Sequence, residues 1–521
     1  MTRTAAAVGQ GLLAVREARA IVPGERIHVV GAGGAGASAA ALLGVASGAM
    51  VSGCDAGGPS PYTPALEAVG VRLDWAHAPD HVTREPRPAR LAVTKALTAT
   101  DPDHPELLAA RAAGVPVEPW QQMVADSAVG RRLVGIAGTH GKSTSAGWLV
   151  HLLVAAGADP SAFVGALLPS ALTGGLPATA RIGRGPAFVV EADEYAGNFE
   201  AYRPEILVVT NVDWDHPDVF ADLDAVVAAF ERWIRAAPRG DEPPTLIANV
   251  ADPGVLRLLA RLADWSGRLI ATALLDVPDG SLAGAAARVA GAYGTAGGPT
   301  SALVGRIAAV DAGTTSLQLV GLGIDGRTRL ARLATAGRHN AQNALGVAGA
   351  ALALGVEAAA IVDGLATFTG VGRRLERVGE AAGVVVYDDY GHHPAAIRAT
   401  MAALRQREPG RRVWAVYEPL TFHRTAALLE PFAEVLAEAD AVVVADIWAG
   451  RDPDTTVASA AGLAGAVAHR NAGIPVAAPG SVEATADWLA GQVRAGDAVL
   501  VMGGGHSYLI GPRLLKRLGA R

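Results

Sequence analysis

Cysteine and lysine are scarce in this chain of 521 residues. Cys54 is the single cysteine, and Lys95, Lys142 and Lys516 are the only lysines among 44 basic residues. One cysteine excludes an intrachain disulfide framework and fits a reducing compartment. A chain that otherwise uses arginine keeps a lysine at position 142, which indicates a chemical need for a compact ammonium there. Basic runs are also missing and the formal net charge is −6, so we expect no nucleic-acid partner.

Long hydrophobic runs are missing as well. The longest apolar stretch, residues 344–356, is short and rich in alanine and glycine, which favours a buried helix over a membrane span. The first 20 residues include four charged side chains and lack the apolar core of a signal peptide. We therefore expect a cytoplasmic protein without a membrane span, either a monomer or a homodimer.

Strand-like and helix-like segments alternate in three blocks, which predicts an α/β protein. In the first block, a strand leads into a turn containing Gly31, Gly33, Gly34 and Gly36. An alanine-rich helix and a second strand ending at Asp55 follow. This order is the dinucleotide-binding pattern, although glycine turns between a strand and a helix are common in α/β proteins.

The second and third blocks contain further strands. In the second block, the runs at 188–190 and 206–210 end in charged or polar residues, as expected where ligands gather at the carboxyl ends of parallel strands. The Gly/Ala-rich stretch 279–299 predicts a loop or an insertion. The third block has strand-like runs at 384–387, 413–416, 441–444 and 498–502.

The second block opens with a candidate phosphate-binding loop. An apolar run, 133–137, is followed by Gly138 and Gly141, then by Lys142, Ser143 and a helix-like segment. Glycines let backbone N–H groups approach phosphate oxygens, and the hydroxyl after the lysine is placed to reach a magnesium ion. The two glycines lie three residues apart, which is not the usual spacing of such loops. An ordinary strand–helix turn is the alternative.

Acidic residues follow two strands of the second block. Glu191, Asp193 and Glu194 would repel one another unless a cation lies nearby, and Mg²⁺ prefers such oxygen ligands. His216 follows the next strand among further acids, so it is a candidate ligand for a second metal or for phosphate. A solvated helix start rich in acids, and a structural histidine, are the alternatives.

Two polar clusters remain. Asn340 and Asn343 lie one helical turn apart, so they are suited either to reading a base edge or to capping the helix. In the third block, residues 387–394 place two acids, two tyrosines and two histidines directly after a strand. That cluster indicates a polar site without specifying a reaction.

In this order, the motifs resemble the Mur ligase family of peptidoglycan synthesis. The resemblance implies a Rossmann-like N-terminal domain over residues 1–128 that binds a UDP-sugar. It also implies a central ATP-binding domain over 129–369, with a P-loop ATPase-type parallel sheet, and a C-terminal Rossmann-like α/β domain over 370–521. The motifs are Gly-Thr-His-Gly-Lys-Ser-Thr (138–144), Glu-Ala-Asp-Glu (191–194), Thr-Asn…Asp-His (210–216), His-Asn…Asn (339–343), Gly-Arg-Arg (372–374) and Asp-Asp-Tyr-Gly-His-His-Pro (388–394).

The resemblance also implies roles for individual residues. The cofactors are ATP and Mg²⁺, and the substrates are UDP-N-acetylmuramate and, in the most similar branch, L-alanine. ATP would contact Gly138, Thr139, His140, Gly141, Lys142, Ser143, Thr144, Asn340, Asn343, Arg374 and Asp389. Gly31, Gly33, Gly34, Gly36 and Asp55 would bind the UDP-sugar, Ser143, Glu191 and His216 the metal, and Tyr390, His392 and Arg424 the amino acid. Lys142, His392, Asp389 and Arg374 are the candidate catalytic residues.

One segment departs from that branch of the family. Leu420 occupies the position where a histidine is expected, and Glu418-Pro419 resembles the ligases that attach a recycled tripeptide to the same sugar. A tripeptide acceptor, or an inactive nucleotide-binding regulator, therefore stays an alternative. The reaction implied by the resemblance passes through an acyl phosphate, which requires closure against water, so we expect hinges near 129–132 and 369–373.

Overall fold

The computed structural model describes residues 4–520 apart from 239, 297–299, 324, 325, 451 and 453. Three β-sheets, of five, ten and six strands, follow one another along the chain, and helices cover them. This arrangement confirms the predicted α/β class and three-domain architecture. Among the described residues, no helix combines the length and the apolarity that crossing a bilayer requires.

The first sheet is entirely parallel, in the order β3-β2-β1-β4-β5. Its central strand β1 is almost completely buried because the sheet lies inside its layer of helices. The strands are Arg26–Val30, Met50–Cys54, Arg72–Asp74, Arg90–Val93 and Val117–Pro119 for β1 to β5. The helices α1 to α7 are Ala5–Val8, Ala35–Ala46, Thr63–Ala68, Asp80–Thr83, Lys95–Thr100, Pro105–Ala112 and Trp120–Ser127.

The central sheet has the order β15-β14-β13-β12-β11-β10-β6-β9-β7-β8. It is parallel in its middle and antiparallel at both edges. At one edge β14 pairs with β13 and β15, and at the other edge β8 pairs with β7. The strands β6 to β15 are Arg132–Ala137, Ser161–Leu168, Ala178–Arg181, Ala187–Glu191, Ile206–Val209, Thr245–Asn249, Arg268–Leu274, Ser301–Asp311, Thr314–Val320 and Arg329–Leu333. The helices α8 to α14 are Lys142–Ala155, Ser170–Thr173, Leu223–Arg235, Pro253–Arg261, Leu282–Ala292, Arg338–Ala353 and Ala358–Thr367, and Tyr195–Ala201 forms a 3₁₀ segment.

The third sheet has the order β16-β17-β21-β18-β19-β20 and is parallel except for the edge strand β16. Its strands β16 to β21 are Glu376–Ala381, Val384–Asp389, Arg412–Glu418, Ala441–Ala445, Val476–Gly480 and Asp497–Gly503. The helices α15 to α20 are Pro394–Arg407, Phe422–Ala427, Leu429–Leu436, Ala460–Arg470, Val482–Ala490 and Ile510–Gly519, with a short 3₁₀ turn at Ser507–Leu509.

The Gly/Ala-rich stretch 279–299 is not the loop that its composition predicts. Helix α12 forms there and packs on β13, so the stretch is the helical crossover between the parallel strands β12 and β13. Alanine is a strong helix former, and this outweighs the glycines of the segment. Residues 297–299 lie outside the described residues. The apolar stretch 344–356 falls largely in α13, a buried helix as expected.

The order of the central strands determines where the site forms. β6 lies between β9 and β10, and all three are parallel. Their carboxyl ends therefore bring the loop after Ala137, the acids after β9 and the segment after Val209 to one edge of the sheet. β17 and β18 of the third sheet end at 389 and 418, where they supply the facing residues.

Candidate active site

One cavity of about 680 Å³ lies among the three domains. Its size suits a cofactor or a small-molecule ligand. The walls include the first-domain glycine turn, the loop 138–144, the acids after β9, helix α13 and the third-domain cluster after β17. Candidate residues from every motif line this cavity: Gly31, Gly34, Gly36, Thr139, His140, Gly141, Lys142, Thr144, Glu191, His216, Asn340, Asn343, Arg374, Asp389, Tyr390, His392 and Arg424.

The loop 138–144 has a backbone shape that requires its two glycines. Gly138 has φ of +144° and Gly141 has φ of +80°. A Cβ atom would lie 2.0 Å from Oγ1 of Thr210 at the first position and 2.6 Å from Oδ1 of Asn343 at the second. Helix α8 begins directly afterwards, and its first intrahelical hydrogen bond runs from the N–H of Ser145 to the carbonyl oxygen of Gly141. The N–H groups of the preceding residues at the start of α8 therefore have no acceptor within the helix, as an anion site requires.

Part of this loop is held from outside. The backbone N–H of His140 donates to Oδ1 of Asn211 at 2.8 Å, and Oγ1 of Thr210 donates to the His140 carbonyl oxygen at 2.6 Å. The His140 ring lies 4.7 Å from the ring of His393 in the third domain. Burial lowers the pKa of His140 to about 3, so the ring is neutral at pH 7.

Lys142 extends along the loop toward the acids after β9. Its Nζ lies 2.7 Å from the Gly138 carbonyl oxygen, 2.9 Å from Oε2 of Glu194 and 3.6 Å from Oδ1 of Asp193. Burial alone would lower the pKa of Lys142, but the Glu194 and Asp193 carboxylates outweigh it and raise that pKa. Burial raises the pKa of Glu194 to about 7, with Asp193 adding to the shift and Lys142 opposing it. The loop therefore carries a fixed positive charge.

Ser143 connects the loop to the next strand and to the third domain. Its hydroxyl donates to Oε1 of Glu191 at 2.9 Å and accepts from Nη2 of Arg374 at 2.9 Å. Nε of Arg374 is buried without a hydrogen-bond partner in the described residues. A hydroxyl, a carboxylate and a guanidinium with free donor capacity thus meet at the start of α8.

A second charged group forms where the third domain meets the central one. Nη2 of Arg424 lies 2.8 Å from Oδ1 of Asp215 and 3.0 Å from Nδ1 of His216. Nε2 of His392 lies 3.8 Å from the other Asp215 oxygen. Burial alone would raise the pKa of Asp215, but Arg424 outweighs it and holds that pKa well below its usual range. The backbone of His216 takes φ of +56°, and its Nε2 lies 4.0 Å from Oε1 of Glu194.

His392 has a defined tautomer. Its Nδ1 lies 2.9 Å from the Tyr390 carbonyl oxygen, which only accepts, so Nδ1 carries the hydrogen and Nε2 carries a lone pair. Burial lowers the pKa of His392 well below its usual range, and the positive charge of Arg424 adds to the shift. The ring is therefore a neutral hydrogen-bond acceptor that faces Asp215 and the cavity.

The carboxylate of Asp389 is bonded to its own domain. Its two oxygens accept from the backbone N–H groups of Leu375 at 2.8 Å and Gly391 at 2.7 Å. Asp389 therefore fixes the turn that carries Arg374. In that turn Arg373 and Leu375 take φ of +56° and +49°. Positive φ values are strained for residues other than glycine and persist only where surrounding contacts impose them. In this turn the contact is the ion pair of Arg373 with Asp388, at 2.9 Å.

The two asparagines of α13 lie at the cavity wall. Nδ2 of Asn340 donates to the Ala336 carbonyl oxygen at 2.7 Å, and Nδ2 of Asn343 lies 3.4 Å from Oδ1 of Asn340. The helix begins at Arg338, so Asn340 and Asn343 are not its N-cap. This excludes the capping alternative and leaves their amides beside the cavity.

The glycine turn of the first domain is held by Asp55. The Asp55 carboxylate accepts from the N–H groups of Gly33 at 2.9 Å and Gly57 at 2.8 Å. Gly31 has φ of +84°, and a Cβ at Gly36 would lie 2.2 Å from the Trp120 ring. The acid thus shapes the turn, while the turn itself lines the cavity.

Asp215 was missing from the predicted set, and Asp193 and Glu194 were predicted to lie near a cation but were given no individual role. All three stand inside motifs that the sequence identifies, but their neighbours are acids too. Local pattern does not tell which acid of 213, 215 and 218 meets Arg424, because that contact joins positions 209 residues apart in separate domains.

Family models match the chain in three consecutive parts. Residues 26–132 match the Mur ligase family catalytic domain, 136–351 the Mur ligase middle domain and 373–505 the Mur ligase glutamate ligase domain. Among curated proteins, a UDP-N-acetylmuramate–L-alanine ligase of Kineococcus radiotolerans is 39% identical over 500 residues, covering 95% of this chain and 97% of that protein. The enzyme of the same name from Mycobacterium sp. strain JLS is 37% identical over 504 residues, with 95% and 96% covered.

Solved structures share the fold. A UDP-N-acetylmuramate-alanine ligase from Thermotoga maritima superposes with a TM-score of 0.73 at 22% identity, covering 95% of this chain and 99% of that one. A murein peptide ligase from Psychrobacter arcticus gives 0.68 at 23% identity, with 96% and 99% covered. The resemblance drawn from the six sequence motifs is confirmed, and the chain belongs to the Mur ligase family.

Proposed function

We propose that this protein is an ATP-dependent ligase that joins L-alanine to the lactyl carboxylate of UDP-N-acetylmuramate in peptidoglycan synthesis. The observation that carries the proposal is a cavity into which all three domains project. The glycine turn that we assign to the UDP-sugar, the lysine-bearing loop that we assign to ATP and the arginine–histidine group that we assign to the amino acid all line it. The naming of the curated relatives supports the same reaction.

The residues present fit Mg²⁺ and ATP. Ser143 and Glu191 offer oxygen ligands at the start of α8, as Mg²⁺ requires. Ligand atoms of Asp193, Glu194 and His216 lie within 4.8 Å of one another, so His216 would serve a second ion. Bound Mg²⁺ supplies charge neutralisation for phosphoryl transfer. The adenine would lie against Asn340 and Asn343, and the phosphates at Gly141, Lys142 and Thr144.

In the first step, a lactyl carboxylate oxygen forms a bond to the γ-phosphorus of ATP, and the bond from that phosphorus to ADP breaks. Lys142 holds its charge against the β/γ-phosphates, since Glu194 and Gly138 fix the direction of its ammonium. Arg374 adds a second positive charge from the third domain, with Nε free to bind a phosphate oxygen. Positioning and charge supply most of the rate in such a transfer.

In the second step, the amine of alanine attacks the acyl carbon, the amide forms and inorganic phosphate leaves. The amine loses a proton as it attacks, and the proposed acceptor is Nε2 of His392, which carries a lone pair, or a nearby carboxylate. If His392 takes the proton, Asp215 faces the charged imidazole and stabilises it. Asp389, another predicted catalytic residue, acts by holding the turn of Arg374, because both of its oxygens accept from backbone N–H groups.

Arg424 is suited to the carboxylate of the amino acid. Its Nη2 is taken by Asp215, but Nε and Nη1 are buried without a hydrogen-bond partner in the described residues. Buried donors without partners cost free energy, so a carboxylate that pairs with one of them would bind strongly there. Tyr390, whose ring lies 5.3 Å from the His392 ring, would frame the same pocket.

A tripeptide acceptor is not favoured by the structure. Glu418, one of the two residues that resemble the tripeptide ligases, accepts from the N–H groups of His506 and Ser507 at 3.1 and 2.6 Å. It therefore holds the segment after β21 and does not line the cavity. Leu420 does line it, so the identity of the amine depends on that apolar position.

The domains are proposed to close around the reacting groups. The hinge we propose at 369–373 leads into the strained turn of Arg373 and Leu375, and the one at 129–132 leads into β6. Closure would bring Arg374 to Ser143 and Arg424 to Asp215, the contacts seen here. An acyl phosphate hydrolyses in open water, and the closed domains would keep water away from it.

Phosphate release tests the proposed function. Protein, ATP and Mg²⁺ are incubated with UDP-N-acetylmuramate and either L-alanine, L-alanyl-D-glutamyl-diaminopimelate or no amine. Release and amide product with alanine alone are expected. Turnover with the tripeptide alone would assign the alternative acceptor, and turnover with neither amine would contradict both ligases and favour a nucleotide-binding regulator.

A further inference from the structure

The first domain buries a second group of metal-ligand side chains that the proposed reaction does not use. We call it the Cys54 cluster: His28, Cys54, His77, His81 and Glu106. Residues 26–132 contain four histidines, and three of them belong to this cluster, while the fourth, His104, packs its ring 4.6 Å from that of His77. The chain's single cysteine lies at the centre.

Five different segments bring these residues together. His28 is on β1, Cys54 ends β2, His77 follows β3, His81 is in α4 and Glu106 is in the first turn of α6. Ligand atoms of His28, Cys54, His81 and Glu106 all lie within 4.8 Å of one another. The cluster is thus a product of the fold and not of one local motif.

The distances around Sγ of Cys54 match those between ligands of one ion. Sγ lies 3.4 Å from Nε2 of His28, 3.2 Å from Nδ1 of His77 and 3.3 Å from Oε2 of Glu106. Two ligands of a tetrahedral zinc ion, one sulfur and one nitrogen, are about 3.6 Å apart when their bonds have normal lengths. Nδ1 of His81 and Oε1 of Glu106 are 2.5 Å apart, a hydrogen-bond distance, and two such ligands of one tetrahedral ion would move to about 3.3 Å apart.

A hydrogen-bonded network is the alternative, and it accounts poorly for these contacts. A thiol has one proton, yet two imidazole nitrogens and two carboxylate oxygens lie within 3.4 Å of this sulfur. Glu106 and Cys54 are fully buried and His28 is 2% exposed. Among the described residues, Glu106 forms ion pairs with His77 and His81, and no arginine or lysine neutralises its negative charge.

We propose that His28, Cys54, His81 and Glu106 bind one structural zinc ion. A thiolate, imidazoles and one carboxylate are the donor set that Zn²⁺ prefers, and Mg²⁺ does not take sulfur. The thiolate and the carboxylate together balance the charge of Zn²⁺, so the buried site is neutral. His28, Cys54 and Glu106 are buried and His81 is half-buried, and four protein ligands fill a tetrahedral shell, as is typical of a structural ion and not of a catalytic one.

The site adjoins the glycine turn of the same domain. The carbonyl oxygen of Cys54 accepts from the N–H groups of Gly31 and Ala32 at 2.9 and 3.1 Å. Asp55, the next residue, accepts from Gly33. The ion would therefore fix the end of β2 against the turn that lines the cavity, while lying apart from the acids of the central domain.

Metal content and cobalt spectroscopy of the full chain test the proposal. The protein is purified without a histidine tag, stripped with a chelator, and given one equivalent of Zn²⁺ or Co²⁺ in excess Mg²⁺. About one zinc per chain is expected to survive gel filtration. With Co²⁺ we expect a thiolate-to-metal charge-transfer band, which reports this site alone because the chain has one cysteine.

Two variants complete the test. Cys54→Ser keeps the size of the side chain and is expected to lose the charge-transfer band and the retained zinc. The matched control is His151→Gln, a histidine of α8 that bonds Thr367 outside the cluster, and it is expected to keep both. Wild-type protein that retains no zinc and gives no band would overturn the proposal. Retention of the same zinc in Cys54→Ser would overturn it as well, even if the variant is less stable.

Discussion

Two glycine turns line the same cavity, and they are built differently. In the first domain, the turn around Gly31 has an acid behind it, since Asp55 binds the N–H of Gly33. In the central domain, the loop 138–144 has a lysine within it, and the acids hold that lysine. Both turns follow a parallel strand and precede a helix, so glycine pattern alone does not separate them. The two turns are distinguished by the charged side chain that the fold places at each.

The comparison indicates different ligands for the two turns. A helix start with Lys142 and Ser143 is suited to a chain of phosphates with its metal ions. A turn whose acid is used internally leaves fewer N–H groups for a ligand and has no lysine within it, which suits the less highly charged sugar nucleotide. Variants at each turn are therefore expected to affect different substrates.

The largest expected effect is that of Lys142→Arg. A planar fork does not replace a point charge held between Glu194 and the Gly138 carbonyl oxygen, so kcat should fall by more than about 100-fold. Phosphate release measures it, with thermal unfolding to show that the fold is kept. Lys516→Arg, at an exposed position of α20, is the matched control. Near-normal turnover in Lys142→Arg would contradict the role given to this lysine.

Alanine at each turn tests whether the two turns bind different substrates. Gly138→Ala forces a Cβ to 2.0 Å from Oγ1 of Thr210, and Gly31→Ala to 2.6 Å from Cγ2 of Thr94. Each change costs more than about 1.4 kcal/mol, or tenfold. We expect KM for ATP to rise in the first variant and KM for UDP-N-acetylmuramate in the second.

The control for both alanine variants is Gly58→Ala. Gly58 also has positive φ, at +76°, but nothing lies within 4 Å of an added Cβ. Its kinetic constants should change little. Equal rises of both KM values in Gly31→Ala and Gly138→Ala would show that the turns do not bind separate substrates.

A smaller effect is expected from Asp55→Asn. The amide accepts only through its neutral oxygen, so one of the N–H groups of Gly33 and Gly57 loses its acceptor and the other loses a charged one. A loss of about 1.5 kcal/mol corresponds to a tenfold rise in KM for the UDP-sugar. KM for ATP should be unchanged, as should both constants in the exposed control Asp241→Asn. A rise confined to ATP would contradict the assignment of this turn.

The smallest effect is expected from Leu420→His. Leu420 lines the cavity four residues before Arg424, and an imidazole there adds one donor for the amino-acid carboxylate. One neutral hydrogen bond of about 0.5 to 1 kcal/mol would lower KM for alanine by about two- to fivefold. Leu509→His, at a position 42% exposed, is the control. An unchanged KM would place Leu420 outside the alanine pocket.

Local pattern predicted some elements well and others poorly. The strands at 206–210, 384–387 and 498–502 were predicted because buried parallel strands are short apolar runs. Helix α12 was missed because glycines and alanines together are compatible with loop and helix. The antiparallel strand β14 and the edge strand β15 were missed because each has a more exposed face, so neither forms a continuous apolar run.

By itself, the sequence determined the family and the loop with Lys142, because a strand, two glycines, a lysine and a hydroxyl are neighbours along the chain. Only the tertiary structure decided which acids meet them. Asp215 pairs with an arginine of another domain, and Cys54 meets Glu106 across 52 residues. Contacts of that kind depend on strand order and domain packing, which no local spacing encodes.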